Sequence, residues 1–64
     1  MAEQMTREEA VQYLTMQRDL IESAETIAEF SRILEETGDK IGYAPAFRCL
    51  VKGLDPEQSI RWGR

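Results

Sequence analysis

Thr6-Arg7-Glu8-Glu9-Ala10-Val11-Gln12-Tyr13-Leu14 opens on a capping box, and the same signature returns at Thr26-Ile27-Ala28-Glu29. In each, the threonine hydroxyl can accept from the backbone N–H three residues on, while the glutamate there reaches back to the threonine's own N–H. Two helix starts of this kind in the first half of a short chain make the protein helical. Behind the first box, Ala10, Tyr13, Leu14, Leu20 and Ile21 fall on one face at about 100° per residue. Val11 widens that face at one edge and Met16 at the other, so the apolar arc covers half the helix or more. One neighbour needs less than that. The first helix is therefore expected to touch two partners, and Val11, Leu14, Gln17 and Ile21 are assigned to self-association. Gln17 lies near the middle of the arc. It either sits at a shallow place and reaches water, or sets register across a helix pair as a buried amide does in coiled coils.

The segment Ser23 to Thr26 reads as a break. The alternative is one continuous helix, because alanine and glutamate favour helix throughout this region. The second helix puts Ile27, Phe30, Ile33 and Leu34 on one face, with Glu29, Arg32, Glu35 and Glu36 opposite. Gly38 is suited to end it in the left-handed conformation, so the first two helices form an antiparallel hairpin. Asp39 to Ala44 then reads as a connector, with Ala44 pushed away from helical angles by Pro45. Pro45 opens a third helix, where its missing N–H costs nothing. Ala46, Phe47, Leu50 and Val51 give that helix an apolar face, and Gly53 ends it with Leu54 placed for the accompanying contact. Asp55-Pro56-Glu57-Gln58 is a helix start with an aspartate cap and proline first. The last helix carries Ile60 and Trp62 and stops at Gly63. No repeat, low-complexity run or strand pattern interrupts this reading. The fold class is an all-α domain: a hairpin of two helices followed by two shorter ones, spanning residues 6–64 behind a flexible tail at residues 1–5.

Composition narrows the function. A chain of 64 residues is near the lower limit for folding alone. Its single cysteine, Cys49, cannot close an internal disulfide, and the absence of histidine argues against a structural zinc site. Stability must come from helix packing, from self-association or from a partner. No stretch approaches the roughly 20 apolar residues of a membrane span, and Met1 to Arg7 has no apolar signal region. With an unpaired thiol suited to a reducing compartment, the expected location is cytoplasmic. The net charge of −4 is uneven. Residues 1–37 are strongly acidic, whereas Lys40, Arg48, Lys52, Arg61 and Arg64 make the remainder basic. Ordinary surface decoration accounts for this, as do two ends that face different partners or each other.

Catalysis lacks reagents. There is no imidazole to act as a neutral-pH base, and no recognisable motif activates Cys49, which reads as partly buried packing. The pairs Glu8/Glu9 and Glu35/Glu36 are adjacent in sequence and so diverge around a helix. The glycines lack phosphate-loop spacing. No cofactor or metal is expected. The C-terminal half is richer: Arg48 and Lys52 share a side of the third helix, Tyr43 stands at the elbow, and Arg61 and Trp62 follow. Tyrosine, tryptophan and arginine dominate the energetic centres of protein interfaces. Tyr43 and Trp62 could equally close the core, and Arg61 could pair with Glu57. The expectation is a non-enzymatic protein-interaction module, an accessory, adaptor or regulatory subunit. It would dock to another protein through Tyr43, Arg48, Lys52, Arg61 and Trp62 and form a homodimer. The alternative is a helix-turn-helix-like nucleic-acid binder, with residues 26–34 as first helix and Pro45 to Lys52 as reading helix. Against it stand a connector longer than the usual 3–4-residue turn, few cations and an acidic whole.

Overall fold

The computed structural model describes residues 5–60, and every described element is helical: α1 (Arg7–Ser23), α2 (Ile27–Ile41), α3 (Tyr43–Leu50) and α4 (Pro56–Ser59). The first capping box forms as read. Thr6 Oγ1 accepts from Glu9 N–H at 3.1 Å, and Glu9 accepts from Thr6 N–H at 3.2 Å. α1 then stops at Ser23, so the break is real. The second box is half formed: Thr26 Oγ1 accepts from Glu29 N–H at 3.1 Å, but the Glu29 carboxylate reaches one residue further back and takes Glu25 N–H at 2.8 Å. That extra reach ties the three-residue link to α2. The packing of α2 on α1 is compatible with the expected hairpin.

The second corner differs from the sequence reading. α2 runs through Gly38 to Ile41, and the connector assigned to Asp39–Ala44 shrinks to Gly42 alone. Gly42 takes φ 102°, a conformation that admits little besides glycine. Gly38 serves packing: a Cβ there would sit 2.9 Å from Tyr43 Cδ1 and 3.3 Å from Tyr43 Cα. Tyr43 and Ala44 are already helical, so Pro45 is the third residue of α3. It is tolerated because the first-turn N–H groups of a helix have no internal acceptor.

α3 touches every other helix, and α1 does too, while α2 and α4 do not meet. The core is small: Ala10 and Leu14 from α1, Leu34 from α2, Ala46, Cys49 and Leu50 from α3, and Ile60 after α4. Each larger aliphatic contributes about 1.5–3 kcal/mol by leaving water. Met5, expected in the tail, packs against this cluster. Ile27 does not join it. As first residue of α2 it stands at the tip of the hairpin, exposed, while Ile33 and Leu34 turn inward. α3 ends through Gly53 at φ 80°, with Gly53 N–H bonded to Cys49 O and Leu54 N–H to Arg48 O. α4 has the expected start: Asp55 accepts from Glu57 N–H at 3.2 Å, and Pro56 is first. It ends at Ser59.

Candidate functional site

The outer face of α3 is the feature the core does not account for. Residues four apart on a helix advance by about 40°, so Tyr43, Phe47 and Val51 form one slowly turning stripe. Ala46, Cys49 and Leu50 are buried, and Leu50, two turns after Tyr43 on nearly the same bearing, marks where the stripe borders the core. The Tyr43 and Phe47 rings stack with centroids 6.1 Å apart at 24°. Tyr43 remains 56% exposed and Val51 41%. Ala44, also exposed, continues the apolar surface, and Lys52 stands exposed beside it. None of the described aromatics is buried: Tyr13, Phe30 and Phe47 are half-buried and Tyr43 is out.

Arg48 is placed differently from Lys52. It is half-buried, and its guanidinium donates to the Ser59 carbonyl at 3.0 Å, closing the end of α4. Arg61 and Trp62 lie outside the described residues, as does Arg64. Glu57, the partner suggested for Arg61, lies 3.9 Å from Arg7, both side chains largely exposed. The structure therefore brings Tyr43 to the surface of α3, leaves Lys52 exposed in the turn that follows it, and ties Arg48 to α4.

The self-association residues face inward. Leu14 is 0% exposed, Gln17 is buried, and Val11 and Ile21 pack against the core. The wide arc of α1 is occupied by α2, α3 and α4 of the same chain. α1 thus has three neighbours within the chain, and Gln17 is buried, which removes the shallow-place reading of it. What α1 leaves outside is Met16 and Leu20, one turn apart.

No family model matches the chain, and no curated protein or solved structure does either.

Cys49 is 1% exposed. Burial pushes its thiol above the ordinary value near 9.0, against the opposing pull of the Arg18 guanidinium and the Ser59 hydroxyl, with Asp55 adding to the rise. A thiol held neutral is a poor nucleophile. The carboxylate pairs stay on solvated faces: Glu9 belongs to a cap, and Glu36 meets Arg32 at 3.5 Å along α2. Among the described residues, no three Cys, Asp or Glu side chains converge as a metal cage, and no helix is long and apolar enough to cross a membrane.

Phe47 packs partly against the core, as its place on the apolar face predicts, whereas Val51, assigned to the same face, is exposed. Their four-residue spacing from Tyr43 was the available signal for the stripe, and it becomes visible only once the helix starts at Tyr43 and not at Pro45.

Proposed function

We propose that this chain is a non-enzymatic protein-interaction module that docks another protein on the outer face of α3. The observation that carries this reading is the exposed Tyr43, its ring stacked on a Phe47 that packs partly against the core, with exposed Val51 just past the end of α3. Rings on a fixed helix bring large contact area with few rotors to immobilise, which is the chemistry of interface centres. Lys52 supplies a cation at the rim. Self-association would use exposed groups such as Met16 and Leu20, since Leu14 and Gln17 are buried.

The nucleic-acid alternative draws less support. Arg48, one of the two cations on its reading helix, is committed to Ser59. The link between α2 and α3 is one residue, shorter than the 3–4-residue turn of that motif. The charge remains −4.

The test is a paired capture. Tyr43→Ser with Val51→Ser changes two exposed positions, so helicity should persist while the partner held by the parent chain is lost. Equal capture by both chains rejects the α3 surface. Salt-sensitive retention on duplex DNA by the parent chain would favour the alternative.

A further inference from the structure

We propose that this chain binds a second copy of itself through two unlike patches: the acidic link between α1 and α2 of one copy seats on the Tyr43–Val51 surface of the next. The inference rests on the docking reading of that surface and adds an occupant that the chain itself supplies.

Charge is sorted along the fold. Residues 19–29 hold Asp19, Glu22, Glu25 and Glu29 and no cation, whereas residues 40–54 hold Lys40, Arg48 and Lys52 and no carboxylate. Each stretch also leaves apolar groups in water. In the first, Leu20 is exposed in the last turn of α1, and Ile27, 82% exposed, opens α2. In the second, Tyr43 and Val51 are exposed, as are Lys40 at the end of α2 and Lys52 after α3. Arg48 is held by the Ser59 carbonyl, so Lys40 and Lys52 are the cations of this stretch that an incoming carboxylate can reach. The four acids of the link are all exposed. The ion pairs among the described residues, Arg7 with Glu57 and Arg32 with Glu36, use none of them. Glu29 does accept from Glu25 N–H, a hydrogen bond that leaves its charge in place.

The two patches cannot meet within one chain. The link leads into α2, and Lys40 and Tyr43 stand at the other end of that helix; its 15 residues, at about 1.5 Å each, separate them by about 22 Å. Pairing link with link would set four carboxylates against four, which repels. Unlike patches attract, and their approach takes Leu20 and Ile27 out of water against Tyr43 and Val51. Small surfaces bind weakly, so the association belongs to concentrations of about 0.1–1 mM and fades as salt screens the charges. At lower concentration the α3 surface is free for another protein.

The experiment is sedimentation velocity on the full chain at about 1 mM, in low and in high salt. Glu22→Lys with Ile27→Ser alters the link, and Val51→Ser with Lys52→Glu alters the α3 side. All four positions are exposed, so helicity should persist in both variants. The parent should sediment above the monomer in low salt and return to it in high salt. Each variant alone should stay monomeric, and an equimolar mixture should associate, because each supplies the patch the other lacks. A parent that is monomeric in both salts, a variant that associates alone as the parent does, or a mixture that stays monomeric would each overturn the proposal. The link variant should still capture the protein held by the parent, which separates failure of this contact from failure of the docking reading.

Discussion

The ring of Tyr43 lies across Gly38, so close that a Cβ on residue 38 would come within 2.9 Å of Cδ1 and 3.3 Å of the Tyr43 Cα. A glycine inside α2 thus sets how α3 leaves it and where the stacked ring pair stands.

Gly38→Ala opposes two effects. Alanine in a helix interior gains about 1 kcal/mol over glycine, but overpacking against a backbone atom costs about 1–3 kcal/mol. Because the clash includes Tyr43 Cα and not only a movable ring, the net change should be destabilising by about 1 kcal/mol. Urea denaturation checks it, and a gain in stability would show that α3 can shift freely.

Gly42→Ala should cost more than an ordinary loop substitution. At φ 102° and ψ 138° a side chain is strained whatever the space, and about 1–3 kcal/mol is expected. The same substitution at Gly53, φ 80° with nothing within 4 Å of the added carbon, isolates backbone strain from crowding. Thermal melts of the two variants give the comparison.

Cys49 links stability to alkaline pH. The folded state holds the thiol proton more tightly than the unfolded chain, so its contribution is complete below the ordinary value near 9.0 and declines as pH rises through the higher folded value. The groups acting on it are Arg18 from α1, Ser59 from α4 and Asp55 ahead of α4. Denaturation of the parent chain and Cys49→Ala between pH 8 and about 10.5 should show a steeper alkaline loss for the parent. Parallel curves would place the thiol outside the core.

Much of the fold could be read from local chemistry. Thr6 with Glu9, and Asp55 with Pro56, set helix starts that depend on atoms a few residues apart, and both form as read. The α2–α3 corner could not be read this way. Gly38 resembles a helix end in sequence, and only its distance to Tyr43, a tertiary contact, shows that it is a packing glycine. The same error hid the surface: starting α3 at Pro45 leaves Tyr43 in a loop, and the stripe it shares with Phe47 and Val51 disappears. α1 shows a different limit. Its wide arc was correctly apolar, but periodicity does not say whether the neighbour that covers Leu14 belongs to the same chain. Arg48 looked like a free cation because the Ser59 carbonyl that holds it lies eleven residues away.

Protection from hydrogen exchange, compared between the chain alone and the chain bound to its captured protein, tests the docking claim most directly. Added protection should concentrate on residues 43–52, with little change at Met16 and Leu20. Protection confined to α1, or none on α3, would contradict the account.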